Sequence, residues 1–178
     1  MKRVFVLALA LLFAPAVVSA QVEVGVDAGL SINSYDSPDG FDVDSQTDIQ
    51  LPFSTVRVGF AAGEQLLVDS FVGFSRSSQG DNSFSNLILM PGVNFLLGEQ
   101  FYVRGEAGLM RISSDNGTTS DSATQYAFGG AAGLRMPLGD AALFRVEGGV
   151  DKWLENQDDG LLGSWQIRGA VGISAVVN

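Results

Sequence analysis

Alternation of apolar and polar side chains is the main pattern in this chain from Val22 onward. Eight segments show it, each roughly ten residues long and separated by turn residues, and a period of two predicts β-strands. The predicted strands are Val22–Ile32, Phe53–Ala62, Leu66–Ser75, Ser85–Leu97, Phe101–Ile112, Thr124–Met136, Ala142–Val150 and Trp165–Val177.

The two faces of these strands differ in chemistry. One face is aliphatic or aromatic and carries no charge within the strands; its first members are Val22, Val24 and Val26. The other face alternates glycine with charged residues, as in Glu23, Gly25 and Asp27. Small and charged side chains fit a narrow barrel interior, and an aliphatic outer face fits hydrocarbon. The sequence therefore predicts an all-β fold, an eight-stranded antiparallel up-and-down transmembrane β-barrel with a filled polar interior.

Connection lengths support a membrane barrel. Long connections are predicted at 33–52, 76–84, 113–123 and 154–164, and they alternate with three short turns at 63–65, 98–100 and 137–140. Outer-membrane barrels have long outer loops and tight periplasmic turns. Bulky aromatic residues fall near strand ends, where they predict two interfacial girdles: Phe60, Phe95, Phe101 and Phe144 on the periplasmic side, and Phe74, Tyr126 and Trp165 on the outer side.

The amino terminus indicates export. Lys2 and Arg3 precede an apolar run that ends in Val18, Ser19 and Ala20, as in a secretory signal peptide. We expect residues 1–20 to be removed, leaving the barrel domain at 21–178. The chain has 10 basic and 20 acidic residues, and loss of two basic ones leaves a net charge of −12. Nucleic acid is therefore excluded as a partner.

Eleven ionisable residues on the polar face are predicted to form an interior charge network. An unpaired charge is costly away from water, so arginines and carboxylates should interlock and fill the lumen, although a gated polar pore is the alternative. We expect Glu106 to pair with Arg104 or Arg135, and Arg168 to approach Asp27. The network comprises Glu23, Asp27, Arg57, Asp69, Arg104, Glu106, Arg135, Arg145, Glu147, Asp151 and Arg168.

Catalytic and cofactor chemistry has little support. The chain contains no histidine and no cysteine, the usual base and nucleophile, so we predict no enzymatic activity and no cofactor. Glu147 and Asp151 suit salt bridges better than acid–base catalysis. Four aspartates of the first outer loop are weak calcium candidates, because their spacing does not match an EF-hand: Asp36, Asp39, Asp42 and Asp44.

From Gln21 to Asn178 the chain resembles the small eight-stranded outer-membrane barrels, the family of the OmpA transmembrane domain and OmpX. The resemblance lies in strand number, loop alternation and the glycine-rich face. It implies location in the outer membrane of a Gram-negative bacterium, contact with its lipid, assembly by the barrel assembly machinery, and a monomer.

Function is left open by the sequence. The leading hypothesis is a structural, surface-interaction or adhesion role through long acidic outer loops that bind surface ligands. The first alternative is a narrow channel for small or hydrophobic solutes, motivated by Phe71, Ile88, Met90 and Leu96 on the polar face. The second is a soluble periplasmic barrel that binds lipid in an apolar cavity.

Overall fold

The structure is a computed structural model that describes residues 21–35 and 47–177, with side chains described for residues 21–35 and 55–177. Eight strands form a closed antiparallel barrel in chain order, and β1 pairs with β8 to complete it. The strands are β1 Val22–Tyr35, β2 Thr47–Ala61, β3 Leu66–Gln79, β4 Asn82–Leu97, β5 Phe101–Asp115, β6 Ser120–Pro137, β7 Ala142–Trp153 and β8 Ser164–Val177. The predicted fold class is confirmed.

The alternation of side chains along each strand places the apolar face outside the barrel and the charged face inside it, as predicted. Val26, Phe74 and Ile173 of the apolar face point outward and are more than half exposed, whereas Glu23 and Asp27 are buried inside. The soluble lipid-binding alternative is wrong, because it requires the aliphatic side chains to line an inner cavity. Within the described residues, no helix is long and apolar enough to cross a membrane.

The periplasmic strand ends lie within one residue of their predicted positions. Tight turns connect β2 to β3, β4 to β5 and β6 to β7 at the end of the barrel that carries both β1's start and β8's end. Gly98 in the second of these turns has a φ of 80°, a left-handed conformation that favours glycine.

Seven of the eight outer strand ends extend beyond their predicted positions by three residues or more, and β8 begins one residue earlier than predicted. The predicted long connections at 76–84 and 113–123 are mostly strand, so β3–β4 turns at residues 80–81 and β5–β6 at 116–119. Above the membrane both faces of a hairpin meet water, so strand pairing continues there without apolar alternation. The predicted connection at 154–164 is a loop, and it contains a short 3₁₀ helix at Gln157–Asp159.

Several predicted features lie outside the described residues. These are the signal peptide at residues 1–20 and the candidate calcium ligands of the first outer loop, Asp36, Asp39, Asp42 and Asp44.

Candidate functional site

The lumen contains all eleven residues of the predicted interior network. Ten of them are buried, and the Arg135 side chain is 13% exposed. Each side chain points inward because it occupies the same strand parity as the glycines that leave room for it. Every arginine of the set contacts at least one carboxylate.

The centre of the network is built on Arg57 and Arg104. The Nε of Arg57 donates to Asp27 at 2.6 Å, and its Nη1 donates to Asp69 at 3.0 Å. Arg104 donates from Nη1 to the other oxygen of Asp69 and from Nε to Glu106 at 2.8 Å. Asp69 therefore bridges two guanidiniums, and this arrangement crosses the barrel.

The periplasmic end of the network is built on Glu23. Its two oxygens accept from Arg135 and from Arg145, the latter at 3.1 Å. The Arg145 guanidinium lies 5.2 Å from the ring centre of Tyr102, whose hydroxyl donates to Glu147 at 2.6 Å. Tyr102 thus connects this end to the middle of the lumen.

The outer end of the network is built on Arg168. Its Nε donates to Asp151 at 2.9 Å, while its two terminal nitrogens donate to Glu147 and Glu106. One guanidinium therefore neutralises parts of three carboxylates. Glu147 and Asp151, considered above as an acid–base pair, are both bound in ion pairs.

One of the two predicted pairings is present. Glu106 contacts Arg104, but Arg168 contacts Glu106, Glu147 and Asp151 instead of approaching Asp27. The β1–β8 register explains the difference, because it places Asp27 opposite Gly172 and Arg168 opposite Ser31.

An apolar cluster fills the lumen on the outer side of the charges. Phe71, Met90, Ala127 and Trp153 are buried together, with Ile88 and Met110 packed against them. The ring of Phe71 also supports three guanidiniums, those of Arg57, Arg104 and Arg168, at 5.1 to 5.6 Å from its centre. The cluster is a second layer that closes the barrel.

Sequence reasoning missed Trp153, Ala127 and Tyr102 as lumen residues. A signal was present for Trp153, because it follows Asp151 by two positions and so continues the inward face of β7. The strand was predicted to end too early, at Val150.

Two open grooves lie on the described part of the outer rim. One, of about 330 Å³, lies between the β3–β4 and β5–β6 hairpins and is lined by Ser77, Asn82, Phe84, Asp115 and Asp121, among others. The second, of about 360 Å³, lies between the β5–β6 hairpin and the 3₁₀ segment, where Asp158 and Asp159 line it. Within residues 21–35 and 47–177, no group of three or more carboxylates is arranged to hold a metal ion.

The predicted girdle aromatics lie on the outward face. Phe74, Phe95, Phe101, Tyr126 and Trp165 are exposed, and Phe60 and Phe144 are half-buried. On the outer side the Lys152 ammonium lies 5.2 Å from the ring centre of Trp165. This combination suits a membrane–water interface.

Solved structures with the same fold are distant in sequence. Ail, the attachment invasion locus protein of Yersinia pestis, has a TM-score of 0.54 and 14% identity, over 89% of this chain and 99% of Ail. Neisserial surface protein A has a TM-score of 0.53 and 14% identity, over 85% of this chain and 96% of that chain. Ail in complex with the heparin analogue sucrose octasulfate has a TM-score of 0.53 and 13% identity, over 89% of this chain and 99% of Ail. At these identities the likeness shows the fold alone.

Sequence comparison places the protein in a family and in a membrane. No curated protein matches the chain significantly. The family model described as outer membrane protein beta-barrel domain matches residues 4–167, which is most of the chain. Together with an outward apolar face and a closed barrel, this match locates the protein in the outer membrane of a Gram-negative bacterium. The chain belongs to the outer membrane protein beta-barrel domain family.

Proposed function

We propose that this barrel is a non-enzymatic surface-attachment protein that binds its partner through the outer hairpins and the β7–β8 loop. The filled lumen is the observation that carries this proposal. Paired charges and the Phe71 cluster occupy the interior, so the outer rim is the surface on which a partner has room to bind. Each of the eight described strands is paired on both sides, which favours a monomer.

The chemistry of the rim suggests the kind of partner. Six acidic residues are described there and three basic ones, and the first outer loop adds four aspartates from the sequence. The rim acids are Asp81, Asp115, Asp121, Glu155, Asp158 and Asp159, and the basic residues are Arg76, Arg111 and Lys152. Negative potential attracts cationic surfaces and repels polyanions. We therefore propose a cationic partner, such as a lysine-rich protein segment.

The structural relatives support attachment but not the same ligand. Ail is described as an attachment invasion locus protein, and one of its structures contains a sulfated heparin analogue. The acidic rim of this chain makes a sulfated polyanion an unfavourable partner.

Binding of vesicles that contain the folded barrel tests the proposal. We expect salt-sensitive retention on poly-lysine and none on heparin. The double variant Asp115→Asn and Asp121→Asn should weaken retention, while Asp140→Asn at the periplasmic rim is the matched control. Equal retention of both variants would count against the rim as the binding surface.

A channel function has weaker support. Phe71, Ile88 and Met90, which motivated it, pack together inside the barrel rather than lining an open path. Conductance in planar bilayers discriminates between the two functions: we expect no stable steps, and reproducible conductance would instead support a channel. A lower rate of solute uptake in the variants Ile88→Glu or Met90→Arg would also support a channel.

The family assignment supports a proposal about biogenesis. We propose that residues 1–20 are removed on export and that the barrel assembly machinery inserts the mature domain. Mass spectrometry of the purified protein tests the first point by whether the chain begins at Gln21.

A further inference from the structure

The basic residues outside the lumen lie at one level of the outward face of the barrel. The described strands carry three of them, and each is next to an aromatic residue of the outer girdle, either along its own strand or on the neighbouring strand. The neighbours are Arg76 with Phe74, Arg111 with Tyr126, and Lys152 with Trp165. These cations therefore lie at the outer membrane–water interface, where lipid headgroups surround the barrel.

Two of these cations belong to a patch of hydrogen-bond donors that crosses β3, β4, β5 and β6. One row of paired outward positions runs through Arg76, Ser85, Ser113 and Ser122. Arg111 precedes Ser113 by two positions on β5, and its Nη2 donates to Ser122 at 3.3 Å, which confirms that both side chains are on the same face. We name these five residues the outward donor patch.

The outward donor patch is not neutralised by a carboxylate within the described part of the chain. Arg76 and Arg111 are both exposed, and neither forms an ion pair there. The next outward position on β5 is Asp115, whose Oδ1 accepts from the backbone N–H of Gly117 at 2.7 Å in its own hairpin turn. The patch therefore offers two guanidiniums and three hydroxyls to an anion from outside the protein.

The outward positions on the periplasmic side of the patch are apolar. Phe74 and Leu87 are the first of them, and the next row holds Val72, Leu89 and Leu109. Acyl chains cover such a surface in a membrane. A lipid whose chains lie against these side chains has its headgroup at the level of the patch.

We propose that the outward donor patch binds the phosphate monoester of a lipid in the outer leaflet, with Arg76 and Arg111 as its main ligands. A guanidinium forms forked hydrogen bonds to phosphate oxygens. The Cα atoms of the two arginines are separated by two strands and two residues, roughly 12 Å, so both side chains can approach a headgroup that lies over Ser85. A monoester suits the patch because it carries nearly two negative charges and three acceptor oxygens.

This assignment gives the two kinds of charge at the outer end of the barrel different partners. The outward cations hold lipid at the membrane interface, and the acidic hairpin tips beyond them remain available to a cationic partner. The two proposals are independent, because loss of lipid binding leaves the acids of the tips unchanged.

Native mass spectrometry of the folded barrel in non-ionic detergent tests the site. Phosphatidic acid, which has a phosphate monoester, is added in one series and phosphatidylcholine with the same acyl chains in the other. We expect the barrel to bind phosphatidic acid more tightly by roughly tenfold. Equal affinity for the two lipids would overturn the proposal.

Three single variants assign the preference to the patch. Arg76→Gln and Arg111→Gln should each reduce the preference for phosphatidic acid. Lys152→Gln is the matched control, because it removes an outward cation at the same level but outside the patch, and it should bind both lipids like wild type. Gel mobility of unheated and boiled samples verifies that each variant is folded. An equal loss of preference in all three variants would indicate general attraction to interfacial charge and would contradict the site.

Discussion

The interior arginines contact different numbers of carboxylates, and this makes their contributions to stability unequal. Arg168 contacts three acidic residues at the outer end of the network, whereas Arg135 contacts Glu23, which Arg145 also holds. Removing one partner of a buried pair leaves an uncompensated charge. The cost of a substitution therefore depends on how many carboxylates lose their only nearby cation.

Arg168→Met should destabilise the barrel by about 3–5 kcal/mol, because Asp151 then has no cation and Glu106 and Glu147 each lose one. Urea unfolding in vesicles measures the change. Arg111→Met is the matched control: Arg111 is exposed on an outer hairpin and should cost less than about 0.5 kcal/mol. Similar midpoints for the two variants would show that the interior pairs carry no stability.

Two glycines of β8 offer a test of how tightly the interior is packed. A Cβ at Gly172 would collide with the Asp27 carboxylate and lie 2.9 Å from the Val26 carbonyl oxygen, whereas one at Gly169 meets nothing within 4 Å. Gly172→Ala should cost about 1–3 kcal/mol by displacing Asp27 from Arg57, and Gly169→Ala should be nearly neutral. The same unfolding assay compares them, and equal stability would contradict a filled lumen.

Residue partners were harder to predict than residue orientations. Strand parity alone puts Asp27 and Arg168 inside the barrel. Which side chains meet across the lumen depends on register and on the inclination of the strands, and neither is written in the alternation pattern. Arg104 and Glu106 were correctly paired because they are two positions apart on one strand.

The strands differ in predictability along their length. Where a strand crosses hydrocarbon, its outward residues must be apolar and alternation marks it clearly. Beyond the membrane that requirement ends, and the outer parts of β3, β4, β5 and β6 are rich in serine, asparagine and aspartate. Backbone pairing continues, as in Ser77 opposite Phe84 and Ser113 opposite Ser122. The hairpins were therefore predicted as loops.

The outer part of the β5–β6 hairpin should be dispensable for folding. Replacing residues 113–122 with Asn-Gly joins Ile112 to Ala123, which are already paired, through a favoured two-residue turn. We expect this variant to fold and to migrate differently when unheated and boiled, but to bind poly-lysine less. Replacing residues 109–126 with Asn-Gly also removes part of the outward apolar face of β5 and β6, and it should prevent folding. If the variant that lacks residues 113–122 did not fold, the barrel would need the outer part of this hairpin, contrary to this prediction.

At the scale of the whole molecule, the barrel reverses the usual distribution of polarity. Arginines and carboxylates occupy the interior, while valines, leucines and aromatic residues cover the outside. Hydrocarbon is the solvent that makes this arrangement favourable, because it cannot hydrate the charges and does not repel the aliphatic face. Location in the membrane and closure of the lumen thus have the same physical origin.

The two tryptophans provide the most direct test of this reversal. Trp153 is 5% exposed within the lumen cluster, and Trp165 is 51% exposed on the outward face. Trp153→Phe and Trp165→Phe each leave one tryptophan, whose fluorescence is measured in vesicles containing lipids brominated near the headgroup end of the acyl chain. We predict strong quenching of Trp165 and little quenching of Trp153. Equal quenching of both, or stronger quenching of Trp153, would contradict an apolar face in lipid around a closed lumen.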